Sequence, residues 1–242
     1  MSVTSRYRQA WEGFWRAAPD GPGEVFWDAG PAVTAAVHVP LFAPHLAVTG
    51  LPLVDLGCGN GTQTRFLAGR FPRVVGADIA AAAVARARLA DRAGRAEYRE
   101  LDATDKAAAD ALHAELGDVN VYMRGVLHQC EPDDRQALVD ALAVLVGERG
   151  RAFVVELSEA ARPVLGRLAR DPAGPPPKLA PVLRHGIAPG EVSDDTVPHL
   201  LRSAGLTVLA AGELPLVTTE RTPAGTRIEL PSRWLVATAA PE

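Results

Sequence analysis

Residues 54–64 read Val-Asp-Leu-Gly-Cys-Gly-Asn-Gly-Thr-Gln-Thr, and this segment constrains the fold more tightly than any other part of the chain. Glycines alternate at Gly57, Gly59 and Gly61, after an apolar strand-like run at 51–56 and before a helical run at 62–70. A strand that turns into a helix over glycines presents bare main chain, because no Cβ stands between the backbone and a ligand. A dinucleotide-binding turn spaces its glycines as G-x-G-x-x-G. That spacing needs a glycine at position 62, where this chain has Thr62. The pattern here is D-x-G-x-G-x-G, led by Asp55.

Beyond the loop the chain keeps to the same architecture. Apolar runs at 51–56, 73–77, 97–101, 119–123 and 152–157 alternate with helical patterns at 62–70, 80–91, 106–116 and 132–146. Such alternation predicts βαβ units and a parallel sheet covered on both faces. A helix at 193–204, opened by Ser193-Asp194-Asp195 and stopped at Gly205, leads to a sixth strand at 206–214. The last run, 227–238, is expected to join the sixth strand through a turn containing Pro223-Ala224-Gly225, as an antiparallel hairpin. The predicted fold class is therefore α/β, a Rossmann-like, mostly parallel sheet of seven strands ending in an antiparallel hairpin, with helices on both faces.

Two segments fall outside this core, which is read as residues 49–242. Residues 1–48 form a predicted helical cap, in which Tyr7, Trp11, Phe14 and Trp15 recur at i, i+4, i+7 and i+8, followed by Phe26 and Trp27. Residues 163–192, with prolines crowded between Pro172 and Pro189, are expected to be an irregular, lid-like insertion. The aromatic stripe either packs the first helix onto the sheet or closes, with the insertion, over the carboxyl ends of the strands. Ligands bind at those ends in open α/β sheets.

Composition narrows the function classes. With 242 residues, 48% of them apolar, and a net charge of −4, the chain is a folded protein without the basic surface that nucleic acid demands. It has no apolar stretch of about 18 residues and no secretory leader, so no membrane partner and a cytoplasmic location are expected. Cys58 and Cys130 fit no disulfide framework. No G-x-S-x-G elbow, HExxH, Cys-x-x-Cys pair or Walker lysine is present, which argues against a serine triad, a metal site or a phosphate cradle.

The second strand ends in Asp78, and the third is followed by Asp102 and Ala103. A carboxylate ending the second strand can accept both ribose hydroxyls of an adenosine, a feature shared with nicotinamide-binding folds. Asp102 alternatively caps the next helix. The glycine loop, Asp78 and Asp102, in this order over residues 51–157, resemble the class I S-adenosylmethionine (SAM) dependent methyltransferases, their small-molecule branch in particular. The resemblance implies SAM as cofactor and S-adenosylhomocysteine (SAH) as product. It also implies that Asp55 orients the loop and that Gly57, Cys58 and Gly59 line the methionine portion. Asp78 and Ile79 would sit at the ribose, and Asp102 and Ala103 at the adenine.

The fourth strand runs into Arg124-Gly125-Val126-Leu127-His128-Gln129-Cys130. The Asn/Asp-Pro-Pro-aromatic motif of enzymes that methylate DNA bases or Gln side chains is absent here. Arg124 is a candidate for the cofactor carboxylate or an acidic substrate group, with a surface ion pair as the alternative. A hydroxyl must lose its proton before it can attack a methyl group, so His128 is the candidate base, with Glu156 second. A structural histidine and a carboxylate that caps a helix are the respective alternatives. His185 is placed in the lid. The expected reaction is O-methylation of a small organic acceptor in secondary metabolism. N- or C-methylation, or a SAM-fold protein that transfers no methyl, are the rival readings, and both monomer and homodimer stay open.

Overall fold

The computed structural model describes residues 3–187, 190–222 and 224–239. Helices α1 (Val3–Ala17) and α2 (Ala35–Phe42) precede strand β1 (Leu53–Leu56). Strands and helices then alternate through α3 (Thr62–Leu67), β2 (Val74–Asp78), α4 (Ala81–Ala90), β3 (Glu97–Glu100), α5 (Lys106–Leu116), β4 (Asn120–Arg124), α6 (Arg135–Val146) and β5 (Ala152–Leu157). The chain continues with α7 (Ala161–Ala169), α8 (Leu179–Arg184), α9 (Thr196–Ser203), β6 (Leu206–Glu213), β7 (Leu216–Arg221), β8 (Arg227–Leu230) and β9 (Ser232–Ala239).

Among the described residues the strands form a seven-stranded sheet in the order β3-β2-β1-β4-β5-β9-β6, plus a two-stranded ribbon of β7 and β8. Strands β1 to β5 are parallel, and β9 lies antiparallel between β5 and β6. Alternate side chains of each strand serve opposite faces. Val54, Leu56, Val75, Ala77 and Met123 pack under α5, α6 and α9. Leu53, Val74, Tyr122, Phe153 and Val236 pack under α2 and α3. Burial on both faces accounts for the near-continuous apolar runs in the sequence. Strand order reverses between β1 and β4, which opens a crevice at their carboxyl ends.

The carboxyl-terminal part departs from expectation in three places. Residues 227–238 are two strands, because Pro231 has no N–H for a sheet ladder and separates β8 from β9. Strand β9 does pair antiparallel with β6, but the turn near residue 223 joins β7 to β8 instead. Pro223 itself lies outside the described residues; beside it the Thr222 N–H donates to the Thr226 carbonyl at 2.7 Å. Second, the segment 163–192 carries regular structure. Pro163 and Pro181 fall in the first turns of α7 and α8, where a missing N–H costs no intrahelical bond. Pro189, counted among the prolines of that segment, also lies outside the described residues. Third, the amino end of α9 is organised by Ser193 and Thr196, whose hydroxyls are 2.8 Å apart, while the Asp195 side chain makes no cap hydrogen bond. Among the described residues no helix is long and apolar enough to cross a membrane.

Candidate active site

The loop after β1 is held from below and from behind. The N–H groups of Gly57 and Cys58 both donate to the Ala77 carbonyl, at 2.8 and 3.0 Å, which folds the loop over the end of β2. Gly57 has φ +77°, and a Cβ there would lie 2.4 Å from Cγ2 of Val126. Gly59, at φ +55°, receives the Trp15 ring, and a Cβ would sit 2.8 Å from it. Neither position admits a side chain. Asp55 accepts from the Thr64 hydroxyl at 2.6 Å and so ties β1 to α3. Asp78 takes the Gly59 N–H on one carboxylate oxygen and the Ala80 N–H on the other, each at 2.9 Å. Burial pushes both carboxyls up to about 6; the Thr64 hydroxyl acts against this at Asp55, and the Ala80 and Gly59 N–H groups at Asp78.

These groups border a cavity of about 200 Å³ at the carboxyl ends of β1, β2 and β4. Asp55, Gly57, Cys58, Gly59, Asp78, Ile79, Asp102, Ala103, Arg124 and His128 all line it. The Cys58 side chain turns into the sheet toward Gly76, so its main chain faces the opening. Asp102 does not cap α5; Asp105 does, accepting from the Ala107 N–H at 3.0 Å. Asp102 instead accepts from the Thr104 N–H and hydroxyl, and its second oxygen pairs with Arg8 of α1 at 2.8 Å. Arg124 donates to the Trp27 carbonyl at 3.1 Å and makes no ion pair among the described residues. Among those residues no three His, Cys, Asp or Glu side chains gather as a metal site requires.

Helix α1 lies across the opening. Tyr7 donates to Gln129 at 3.0 Å, Glu12 accepts the Ala82 N–H at the start of α4 at 3.0 Å, and Arg86 holds the carbonyls at the end of α1. The aromatic stripe divides accordingly. Tyr7, Trp11 and Trp15 line the cavity, whereas Phe14 turns to the rings of Trp11, Trp15 and Trp27. His185 packs edge-on against Phe14, at 6.0 Å between centroids, and does not line the cavity.

His128 sits in a single 3₁₀ turn after β4 and is 6% exposed. Its Nδ1–H donates to Glu156 at 2.7 Å. Glu156, 1% exposed, also accepts the N–H groups of Val126 and Leu127 at 2.7 Å and does not line the cavity. Glu156 takes main-chain N–H groups on both of its oxygens, so Nδ1 is assigned as the donor in this pair. Nε2 has no partner among the described residues. Glu156 thus faces His128 and the turn at 126–128, and the cavity is lined by His128. Sequence reasoning missed the partners that link distant segments. Asp28, 4% exposed, accepts from Asn60 Nδ2 at 2.7 Å, and Gln63 bridges the Ala29 carbonyl and the Ala35 N–H. Only folding brings Asp28 alongside the loop; no local pattern announces it.

Known proteins place this arrangement. A family model described as a methyltransferase domain matches residues 53–150. The crystal structure of a SAM-dependent methyltransferase from Anabaena variabilis superposes with a TM-score of 0.88 at 30% identity, covering 99% of this chain and 96% of that one. Trans-aconitate 2-methyltransferase of Methylobacterium radiotolerans is 38% identical over 89 residues, 35% of this chain and 31% of that protein. Ubiquinone biosynthesis O-methyltransferase of Stutzerimonas stutzeri is 31% identical over 111 residues, 45% of each. The matches thus span from about a third to just under half the length of these two curated relatives. With the full-length likeness to the A. variabilis enzyme added to the glycine loop and its flanking carboxylates, the chain belongs to the SAM-dependent methyltransferases.

Proposed function

We propose that this chain transfers a methyl group from SAM to a hydroxyl of a small organic molecule. The fit of the cofactor is supported by the loop, where Gly57 admits no Cβ, and by carboxylate acceptors suited to neutral hydroxyls and an amine. In this reading Asp78, beside Ile79, holds the ribose, and Asp102 with the Ala103 N–H holds the adenine. Asp55 fixes the loop through Thr64, and the main chain of Gly57, Cys58 and Gly59 borders the methionine portion, with Arg124 meeting its carboxylate. When bound, SAM supplies an electrophilic methyl group.

The observation that carries the reading is the buried pair His128–Glu156, with Nε2 left to the cavity. Nε2 takes the hydroxyl proton, and the acceptor oxygen so freed would receive the methyl group that bound SAM supplies, with SAH left as the product. Glu156 stabilises the imidazolium that results, and the proton then passes to solvent. The name of the S. stutzeri relative, an O-methyltransferase, supports a hydroxyl acceptor.

Transfer of labelled methyl from SAM to a panel of phenols and alcohols tests this. His128→Ala is expected to lower kcat by about 10²- to 10⁴-fold, the range of a lost general base, with SAH affinity unchanged by calorimetry. A rate equal to wild type would overturn the base assignment. Label appearing only on amines would move the reading to N-methylation.

A further inference from the structure

The cavity lining falls into two chemically unlike parts, the later one gathered in a single apolar cluster. Its charged and hydrogen-bonding side chains all come from the chain up to residue 130: α1, residues 27 and 28, β1 and the glycine loop, the start of α3, and the ends of β2, β3 and β4 with the segments that follow them. From β5 onward the lining residues are Leu157, Leu165, Leu179, Val182, Leu216 and Leu230, every one aliphatic. They arrive from four separate places: the end of β5, α7, α8 and the β7–β8 ribbon. No side-chain donor, acceptor or charge enters from that side among the described residues. The aliphatic wall also reaches the reactive centre. A Cβ at Gly125 would lie 3.3 Å from the His128 ring and 3.8 Å from Leu216 Cδ1, so these two side chains flank the same point of main chain.

We infer that the methyl acceptor is an uncharged compound whose body, beyond the reacting hydroxyl, is apolar, and that these six residues hold it. The inference rests on the hydroxyl-transfer reading above. An ionised carboxylate lodged against this wall would give up its hydrogen bonds to water with nothing to replace them, a heavy penalty. Arg124 does not relieve it, because its guanidinium is engaged by the Trp27 carbonyl and comes from β4, outside the aliphatic cluster. An apolar body gains from burial in the same place. Trp11, Trp15, Phe26 and Trp27 complete the cavity with aromatic rings, which suits a flat molecule.

Calorimetry on the SAH-saturated protein distinguishes the cases, with 2-naphthol as the neutral probe and 6-hydroxy-2-naphthoate as the same ring system carrying a charge. The naphthol is expected to bind with a Kd of about 0.1 mM or below, and the carboxylate at least about tenfold more weakly. Leu179→Gln and Leu216→Gln are each expected to weaken naphthol about fivefold or more, with SAH affinity retained as the check on folding. Absence of naphthol binding, equal or tighter binding of the carboxylate, or indifference to both Leu substitutions would overturn the inference. Naphthol that binds at this wall but accepts no methyl from SAM would overturn the hydroxyl-transfer reading and leave the apolar pocket standing.

Discussion

The two ends of the crevice solve the problem of holding a small molecule in opposite ways. At the strand ends, main chain and short polar side chains are fixed by directional hydrogen bonds: Asp55 to Thr64, Asp78 to Gly59 and Ala80, Asp102 to Thr104. On the far side, aliphatic side chains from α7, α8 and the β7–β8 ribbon meet through packing alone. Directional groups have few tolerable alternatives, whereas an apolar wall accepts many shapes of similar volume. On the proposed reading, one end recognises one ligand, and the other can be re-cut for a new acceptor without disturbing it. Substitutions should therefore act sharply at the first end and softly at the second.

The largest effect outside His128 is expected at Gly57. A Cβ there meets Val126 and also forces an L-residue into the left-handed region, so Gly57→Ala should destabilise the protein by about 2–4 kcal/mol in chemical denaturation. Adding Val126→Ala should recover only the steric part. Full recovery would mean the backbone conformation carries no cost. Next comes Glu156→Gln. On the proposed role, in which Glu156 acts through His128, kcat should fall about 10²-fold, the lower end of what a lost general base costs, and the pH profile should shift while SAH affinity holds. A uniform loss of folded protein with an unchanged pH profile would reduce Glu156 to a brace for the turn.

How much of this is legible in the sequence divides along the same line. Strands β1 to β5, the intervening helices and the carboxylates at their ends emerge from local signals: glycine spacing, apolar runs and the acids at the strand ends. The β7–β8 ribbon is not legible, although Pro231 marks the break, because an interrupted strand and two short ones look alike in a single sequence. Contacts across the chain are invisible for a physical reason. Arg8 reaches Asp102 across 94 positions, and Glu156 reaches the turn at 126–128 across about 30, distances that no periodicity encodes. The division of the aromatic stripe between crevice and core likewise depends on how α1 is held by Tyr7, Arg8 and Glu12.

A further effect is expected at Asp78. Loss of its carboxylate in Asp78→Ala should weaken SAH about tenfold or more, as lost hydrogen bonds to a buried polar ligand do. Acidification probes the same group. Its folded pKa of about 6 lies above the ordinary 3.8, so it takes up a proton as pH falls through 6, and SAH affinity should drop about fivefold between pH 7.5 and 5. Stability runs the other way. A raised acid pKa contributes folding stability that is present below about pH 4 and lost as pH rises through 6, so the unliganded protein gains from Asp55 and Asp78 on acidification. Thermal shift with and without SAH, from pH 5 to 8, separates the two. The smallest change belongs to the cap. Arg8 is 43% exposed in its pair with Asp102, so Arg8→Ala should alter SAH affinity by about twofold to threefold, read by calorimetry. A tenfold loss would make α1 part of the rigid cofactor end.

The most direct test of the whole account is a crystal structure of the SAH complex. The adenine should rest by Asp102, the ribose hydroxyls on Asp78, and the sulfur between the loop at Gly57 and the side of the cavity where His128 meets the aliphatic wall. SAH bound elsewhere, or with its sulfur turned away from His128, would contradict it.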